Sequence, residues 1–306
     1  MAAAPQRIAI SGASGFIGTA LTARLAAGGY SVRRLVRRPP SGADEVAWDP
    51  ERGALPAEAL AGVEAVVHLA GANIAAGRWT AARKAEIRNS RVQSTLLLAR
   101  TLAKLEPRPA VLVSASAVGY YGNRGNEVLT EESAGGSGFL ADTCKAWEAT
   151  TDAARQAGVR VVNLRIGVVL SARGGMLARL LPLYRYGLGG RIGNGRQYMS
   201  WIALPDLLAA IGYVLADARL SGPVNAVAPQ PVTNAEFTRA LARVLRRPAF
   251  LRVPAFAVKV LMGEMGRELL LSGARVLPAR LDATPFRFAY RELADCLRAE
   301  LTPRGL

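Results

Sequence analysis

A short apolar run near the amino end of the chain is followed by a glycine-rich turn and then by a longer, periodic apolar pattern. Residues 8–10 are continuously apolar, as in a buried strand. Ile17, Leu21 and Leu25 recur every fourth residue, as on the buried face of an amphipathic helix. The pattern therefore predicts a strand, a tight turn and a helix, in this order.

The same alternation continues as far as residue 166. Apolar runs predict strands at 31–36, 45–48, 64–70, 110–114 and 160–166. Helical periodicity between them predicts long helices at 78–105 and 138–156. Strands that alternate with helices form a parallel sheet covered on both faces, so we expect a Rossmann-type, doubly wound α/β fold.

The alternation becomes less regular in the second half of the chain. Residues 187–195 are rich in glycine, and the patterns after them predict a helix at 204–216, a strand at 224–226 and a helix at 235–245. Prolines interrupt the remainder, so we expect short helices there.

We expect the chain to form one large unit and one smaller unit. The predicted Rossmann domain covers residues 1–170, and residues 200–227 are expected to return to it. Residues 171–199 and 228–306 are predicted to form a smaller substrate lobe. Ligands of such folds bind outside the carboxyl edge of the sheet, so the cleft is expected between the sheet and this lobe.

Three glycines separate the first strand from the first helix. Gly12, Gly15 and Gly18 have the spacing Gly-x-x-Gly-x-x-Gly. Glycine in such a turn lets the backbone approach the pyrophosphate of a dinucleotide, and the N–H groups at the helix start favour its negative charge. The order of strand, glycine turn and helix favours nucleotide binding over a purely structural turn.

The end of the second predicted strand, where this fold places the adenosine ribose, carries two arginines. Arg37 and Arg38 stand where an acidic residue would bind the 2′-hydroxyl of NAD, and no acidic residue occurs before Asp44. Arginine in this place accommodates a 2′-phosphate, so the sequence predicts a preference for NADP(H). A solvated basic turn is the alternative.

The composition argues against several other classes. The formal net charge is +16, but the arginines are scattered along the chain, which does not favour specific nucleic-acid binding. Two distant cysteines and one histidine form no pattern typical of a disulfide framework or a metal site. The sequence shows no leader pattern and no long apolar run, so we expect a cytoplasmic protein with neither metal nor membrane partner.

Two conspicuous side chains have alternative interpretations. His68, the single histidine, lies within a predicted strand and is interpreted as a core residue rather than a catalytic one. Trp201 follows the glycine-rich segment, and both are predicted to line the substrate cleft, although a core tryptophan explains Trp201 nearly as well.

Further motifs resemble those of an extended short-chain dehydrogenase/reductase. They are GASGFIG at 12–18, HLAG at 68–71, SASAVGYYG at 114–122 and NLRIGVVL at 163–170. The chain most resembles the atypical branch of epimerase family proteins, also called NAD-dependent epimerase/dehydratases. The motifs typical of this branch are RW at 78–79, SR at 90–91, KAWE at 145–148, GLGGRIGNGRQYMSWI at 187–202, GPVNAVAPQPVTNAEF at 222–237, GE at 263–264 and RVLPARL at 275–281.

The resemblance implies a cofactor site for NADP(H) around the glycine turn. The residues that it assigns to this site are Gly12, Ser14, Gly15, Phe16, Ile17, Gly18, Arg37 near the 2′-phosphate, Leu69 and Ala70 along the adenosine and ribose, Glu86, Arg91, Lys145 and Arg165.

The resemblance also implies a catalytic group, which is incomplete. Ser116 matches the family's catalytic serine or threonine, whose hydroxyl would bind a substrate oxygen. Of the family's Tyr-x-x-x-Lys, Lys145 is present, but Ala141 stands four residues before it and cannot transfer a proton. Tyr121 is a candidate proton donor, with an aromatic pocket wall as the alternative, and Cys144 is either an activated thiol or a packed residue.

Two functions are consistent with these residues. The resemblance implies an NADP(H)-binding oxidoreductase or epimerase-like enzyme that acts on a small molecule of unknown identity. The alternative, favoured by Ala141, is a catalytically inactive regulatory or interaction protein that responds to NADP(H). Folds of this type often pair through the two helices predicted at 78–105 and 138–156, so a homodimer is a further open alternative.

Overall fold

Seven parallel strands form the central sheet of the computed structural model, which describes residues 6–302. These strands and those of the small two-stranded sheets are, in chain order, β1 (Arg7–Ser11), β2 (Ser31–Val36), β3 (Glu45–Ala47), β4 (Ala65–His68), β5 (Val111–Ala117), β6 (Val128–Leu129), β7 (Arg160–Ile166), β8 (Val168–Ser171), β9 (Gly190–Ile192), β10 (Tyr198–Met199), β11 (Trp201–Ala203), β12 (Gly222–Ala226), β13 (Val232–Thr233), β14 (Leu251–Val253) and β15 (Arg275–Val276). The central sheet has the order β12-β7-β5-β4-β1-β2-β3.

Ten α-helices lie between these strands within residues 6–302. They are α1 (Phe16–Ala27), α2 (Ala81–Ala103), α3 (Phe139–Ala149), α4 (Asp152–Gln156), α5 (Gly175–Arg185), α6 (Leu204–Ala216), α7 (Asn234–Leu245), α8 (Ala255–Gly266), α9 (Ala279–Asp282) and α10 (Leu293–Leu301). One-turn helices at Glu58–Leu60 and Val118–Tyr121 and a π-helical segment at Arg267–Leu271 complete the pattern.

The order of the strands reverses at β1, which confirms the predicted doubly wound fold. Ser11 and His68, which are register partners, end β1 and β4, whereas β5 continues for three residues beyond Ser114, the register partner of His68. The residues that follow these strands therefore meet at one edge of the sheet, at the switch point where ligands of such folds bind.

Helices cover both faces of the sheet because its strands are apolar on both sides. Leu21 of α1 and Ile211 of α6 pack on one face, and Leu98 of α2 and Ala154 of α4 pack on the other. A separate apolar cluster joins α5, α7 and α10 around Leu241 in the second half of the chain. The seventh strand, β12, comes from that second half, whereas the division of the chain into two domains stays a prediction.

The predicted helix at 138–156 is wrong in one respect, because it is interrupted after Ala149. The hydroxyls of Thr150 and Thr151 donate hydrogen bonds to the carbonyl oxygens of Trp147 (2.6 Å) and Glu148 (2.7 Å). Such local side-chain bonds compete with the helical backbone ladder, so α3 ends at Ala149 and the short α4 begins at Asp152.

The single histidine is a core residue, as predicted. His68 is fully buried, and its ring lies edge-on to Trp48 with 6.0 Å between the centroids. The Ser94 hydroxyl donates to the Ser90 carbonyl oxygen (2.6 Å), so it accepts from Nε2 of His68 (3.2 Å), and Nδ1 accepts from the Ser11 hydroxyl (2.5 Å). Burial lowers the pKa of His68 to about 3, which keeps the ring neutral.

We expect His68 to make stability depend on pH below the ordinary histidine pKa of about 6.5. The unfolded chain binds a proton there, whereas the folded chain binds it only near a pKa of about 3, so acid favours unfolding. Urea unfolding should show a drop in the free energy of unfolding from about pH 7.5 to about pH 5.5 that is roughly 1.4 kcal/mol larger for the wild type than for His68→Gln. Equal drops in the two proteins would contradict the buried, neutral ring.

Candidate active site

The glycine turn connects β1 to α1 at the switch point of the sheet. Gly12 has a φ of 71°, and a Cβ there would lie 2.8 Å from the carbonyl carbon of Leu69. A Cβ on Gly18 would lie only 2.1 Å from the Gly12 carbonyl oxygen, so both positions require glycine. Within residues 6–302, no side chain caps the first turn of α1 at Gly15. The backbone N–H groups in the first turn of α1 can therefore bind an anion such as a pyrophosphate.

The neighbouring residues of the turn have different environments. Ser14 is exposed, and Ile17 lines the large cleft above the sheet. The ring of Phe16 packs so closely on Gly174 that a Cβ on this glycine would lie 2.4 Å from the ring. Ala70, like Leu69, is half-buried directly after β4. The structure thus brings this part of the predicted cofactor site together at one edge of the sheet.

The two arginines after β2 have different partners. Arg38 donates hydrogen bonds from its guanidinium to both carboxylate oxygens of Glu45, at 2.6 and 2.8 Å. These bonds, together with the Ser41 backbone N–H, lower the pKa of Glu45 to about 2. Arg37 is exposed and has no ion pair or hydrogen bond among the described residues. Of the two, Arg37 is therefore the one whose guanidinium can turn to a phosphate.

A cavity of about 660 Å³ lies over the carboxyl edge of the sheet. The sheet side contributes Ser116 at the end of β5 and Arg91 from α2. The opposite side comes from the second half of the chain, including Leu180 and the glycine-rich segment around Gly190. Its place agrees with the rule that ligands of doubly wound folds bind outside the carboxyl edge of the sheet.

Helix α3 presents a face to this cleft that the sequence analysis placed incorrectly. Leu140 and Cys144, four residues apart, line the cleft, whereas Ala141 and Lys145 do not. Lys145 instead donates a hydrogen bond to the Gly136 carbonyl oxygen and pairs with Asp142, each at 2.9 Å. One residue along a helix rotates the side chain by about 100°. The ammonium group of Lys145 thus lies on another face of α3 in this structure, and its contact with cofactor and substrate stays a prediction.

Cys144 occupies the cleft wall as a packed thiol. Its side chain is almost fully buried. Burial, and to a smaller extent the charge of Glu148, raise the pKa of the Cys144 thiol to about 11. The thiol is therefore protonated at neutral pH, which supports the packed alternative over the activated one.

A buried network of polar groups lies behind the cleft wall. The Ser116 hydroxyl donates a hydrogen bond to Oε1 of Glu148 at 2.6 Å. Arg165 binds the same carboxylate through two hydrogen bonds of 2.8 Å each. A third bond, of 2.9 Å, runs from Arg165 to the Tyr121 hydroxyl, which donates to Oδ1 of Asn225 at 2.8 Å. The network holds Ser116 in place and gives its proton an acceptor.

Glu148 is the member of this network that the sequence analysis missed. It closes the KAWE motif and lies four residues after Cys144, so it is on the same side of α3 as Cys144, but the sequence does not show that this side faces the cleft. Arg165, which the resemblance assigns to the cofactor site, is buried and does not line the cleft. Burial alone would lower the pKa of Arg165, but its bonds to Glu148 raise that pKa above the ordinary value.

The structure places Tyr121 away from the cleft, in a small core cluster. Its side chain is fully buried, and burial raises its pKa above the ordinary value. Because the hydroxyl is held by Arg165 and Asn225, it can reach no molecule in the cleft. Tyr121 therefore fits neither the predicted proton donor nor the predicted pocket wall.

Three further predicted residues have mixed outcomes. Arg91 lines the cleft, where it binds the carbonyl oxygens of Ile87 (2.9 Å) and Ala72 (3.1 Å), and burial lowers its pKa. Glu86 is exposed, pairs with Arg83 and does not line the cleft. The prediction for Trp201 as a cleft residue is wrong. Trp201 is fully buried in the apolar cluster around α5 and α7, and its indole N–H donates a hydrogen bond to the Gln230 carbonyl oxygen.

The described residues offer no grouping of three or more histidine, cysteine, aspartate or glutamate side chains that could hold a metal. Between residues 6 and 302, no helix has the length and apolar character needed to cross a bilayer. Cys144 and Cys296 are both buried and unpaired.

A glycine turn at the switch point of a doubly wound sheet, beneath a cleft with a serine on its wall, is typical of Rossmann-fold proteins that hold a dinucleotide beside a small molecule. The chain belongs to the NAD dependent epimerase/dehydratase family, whose sequence profile matches residues 8–227. A domain of unknown function matches residues 253–300. The resemblance seen in the sequence motifs is thereby confirmed.

Similarity to known proteins extends over nearly the whole chain. An epimerase family protein of Mycobacterium bovis is 47% identical over 97% of this chain and 98% of its own length. The crystal structure of the human epimerase family protein SDR39U1 (isoform 2) with NADPH has a TM-score of 0.87 and 34% identity, covering 96% of this chain and 98% of that one. The nucleoside-diphosphate sugar epimerase of Corynebacterium glutamicum has a TM-score of 0.80 and 39% identity, covering 97% of this chain and 58% of that one. These similarities support a nicotinamide dinucleotide as the class of cofactor.

Proposed function

We propose that the protein is an NADP(H)-dependent oxidoreductase or epimerase-like enzyme that acts on a small carbonyl or hydroxyl compound. The observation that carries the proposal is the Ser116 hydroxyl, which lies on the cleft wall with its hydrogen bond to Glu148 already formed at 2.6 Å. A serine held in this way can bind a substrate oxygen and exchange its proton. We place the protein in the cytoplasm, which is reducing and suits its two unpaired cysteines.

The residues of the glycine turn fit the proposed cofactor. The space that a Cβ on Gly12 or Gly18 would fill leaves room only for backbone, and the uncapped start of α1 suits a pyrophosphate. Arg37 would bind the 2′-phosphate, since Arg38 is held by Glu45. The human relative whose structure contains NADPH supports this preference. When bound, the nicotinamide supplies or accepts a hydride at the substrate carbon.

The chain's own residues then account for the proton. In the oxidising direction the substrate hydroxyl gives its proton to Oγ of Ser116, and the proton of Ser116 passes to Oε1 of Glu148 along the existing hydrogen bond. The two bonds from Arg165 hold the carboxylate of Glu148 in its orientation towards Ser116. In the reducing direction the same proton moves from Glu148 through Ser116 to the oxygen of the product. Glu148 thus takes the proton-transfer role of the family's tyrosine, whose place is occupied by Ala141.

A second candidate function is a regulatory protein that binds NADP(H) without turnover. It is favoured by the position of Lys145, which turns to Gly136 and Asp142 and leaves the cleft without an ammonium group from α3. In this case the cofactor would act as a signal for the redox state of the cell.

The two candidates are distinguished by turnover. Purified protein should be incubated with NADPH and a panel of aldehydes and ketones, and with NADP⁺ and the corresponding alcohols, while the absorbance of NADPH is followed. Steady oxidation of NADPH by any carbonyl compound, at a rate proportional to protein concentration, would support the enzyme. Tight binding of NADPH without turnover of any compound would favour the regulatory protein.

A further inference from the structure

Few charged side chains line the cleft. Among the described lining residues these are only Arg91 and Glu268. Arg91 belongs to α2 on the sheet side and already binds two backbone carbonyl oxygens. Glu268 accepts a hydrogen bond from the backbone N–H of Leu140 at 3.4 Å. The wall built by the second half of the chain therefore offers no cation to a ligand.

A nucleoside diphosphate carries two phosphates, which proteins bind with arginine or lysine side chains and backbone N–H groups. Several arginines of the second half of the chain stand next to lining residues in the sequence, but none of them is itself part of the described lining: Arg179, Arg185, Arg191, Arg196, Arg252, Arg267 and Arg275. Arg275 lies over the ring of Tyr198, 5.3 Å from its centroid. Arg191 lies on β9 between the lining residues Gly190 and Ile192, but its side chain is not part of the wall. The described lining of the substrate half thus contains no arginine or lysine side chain to hold a diphosphate.

The wall opposite the sheet is mainly apolar, and the apolar surface continues to the mouth of the cleft. Met176 and Phe237 belong to the inner part. Leu188 and Leu183 also line the cleft, yet their residues are 56% and 48% exposed. Exposed apolar side chains that continue a cavity wall are typical of binding sites for apolar ligands.

We propose that the cleft binds an uncharged, largely apolar substrate that carries its reacting carbonyl or hydroxyl group at one end. The inference rests on the proposed function, because Ser116 positions the reacting oxygen. The apolar body of the substrate extends along the wall towards Leu183 and Leu188. The cavity of about 660 Å³ would hold the reacting end of the cofactor together with a molecule of this kind. A nucleotide sugar, the class that the name of the Corynebacterium relative suggests, is not the substrate.

The direct test compares two ligand classes on the protein saturated with NADP⁺, which cannot reduce a ketone. A series of methyl ketones from 2-butanone to 2-decanone and, separately, UDP-glucose are titrated by calorimetry. The affinity of the ketones should rise by roughly threefold to fourfold for each methylene that the apolar wall buries. UDP-glucose should bind more weakly than 2-decanone. Tighter binding of UDP-glucose, or the absence of any binding of 2-decanone, would overturn the proposal.

Substitutions at the mouth of the cleft locate the binding site. Leu183→Glu and Leu188→Glu should each weaken 2-decanone binding at least about tenfold, because a carboxylate would replace apolar contact with the ligand. Tyr186→Glu is the matched control, since Tyr186 is 82% exposed on the same surface but does not line the cleft. It should change the affinity less than about twofold. Equal losses in all three variants would contradict the cleft as the site.

The titration with NADPH separates this proposal from the one on which it rests. All three variants and the wild type should bind NADPH equally, because Leu183, Leu188 and Tyr186 lie away from the glycine turn. Wild-type protein that binds NADPH and prefers UDP-glucose would overturn the apolar substrate alone. Wild-type protein that binds no NADPH would overturn the proposed function itself.

Discussion

Replacing Arg165 with methionine is expected to lower the free energy of unfolding by about 3–5 kcal/mol. The side chains of Arg165 and Glu148 are only 4% and 12% exposed, and two hydrogen bonds of 2.8 Å join them. Arg165→Met would leave the carboxylate of Glu148 buried with Ser116 as its remaining partner in this network. A buried charge without its counterion is costly, and the loss should appear as a lower urea midpoint.

A matched surface pair provides the control for this measurement. Arg155 and Asp152 form an ion pair within α4, and both side chains are about half exposed. Arg155→Met should cost less than about 1 kcal/mol, because water screens an exposed pair. The double replacement Arg165→Met/Glu148→Leu should cost less than Arg165→Met alone, since it removes both charges. Similar losses in the two single variants would show that the Glu148–Arg165 pair is not held as described.

Replacing Ser116 with alanine should lower turnover by about 10²- to 10⁴-fold on any compound that the protein oxidises or reduces. The loss would fall on kcat, because the Ser116 hydroxyl both binds the substrate oxygen and passes its proton to Glu148. Glu148→Gln keeps the size of the side chain but removes its ability to take the proton, so it should lower kcat to a similar extent. The dissociation constant for NADPH should stay within about twofold of the wild-type value in both variants, since neither residue belongs to the glycine turn.

Ser114 is a matched control on the same strand. Its hydroxyl is buried, donates to the Ala115 carbonyl oxygen and does not line the cleft. Ser114→Ala should leave kcat within about threefold of the wild-type value. Turnover that survives in Ser116→Ala but is lost in Ser114→Ala would contradict the proposed role of Ser116.

Much of the fold could be predicted from the sequence, because its strands are short apolar runs bounded by turn residues. The predicted segments 31–36, 160–166 and 204–216 coincide with β2, β7 and α6. The glycine spacing also indicated a real steric requirement, since a Cβ on Gly18 would lie 2.1 Å from the Gly12 oxygen. The apolar runs and the glycine spacing each depend on residues that are close together in the sequence, so both can be recognised without the structure.

The rotation of α3 could not be predicted in the same way. Ala141 and Lys145 have the spacing of one helical turn, but spacing does not fix which face of a helix packs against the sheet. That choice depends on tertiary contacts such as the hydrogen bond of 2.8 Å between Trp147 and Thr95 of α2. As a result, Leu140 and Cys144 face the cleft one residue before the predicted pair.

The polar network of the site was beyond sequence reasoning for a similar reason. Ser116 and Glu148 are 32 residues apart, and Tyr121 and Asn225 are 104 residues apart. Such pairs form only when the topology brings β5, α3 and β12 together. Burial of Tyr121 follows from the same packing, so its hydroxyl serves Arg165 and Asn225 rather than the cleft.

The most direct measurement is a titration of the wild-type protein and Arg37→Ala with NADPH and with NADH, followed by nicotinamide fluorescence. The wild type should bind NADPH at least about tenfold more tightly, and Arg37→Ala should weaken NADPH binding about 10- to 100-fold, because a hydrogen bond to a charged group contributes about 1.5–3 kcal/mol. NADH affinity should not change, since NADH carries no 2′-phosphate. Equal or tighter binding of NADH by the wild type would contradict the assignment of Arg37, and the absence of binding of either cofactor would contradict the proposed function.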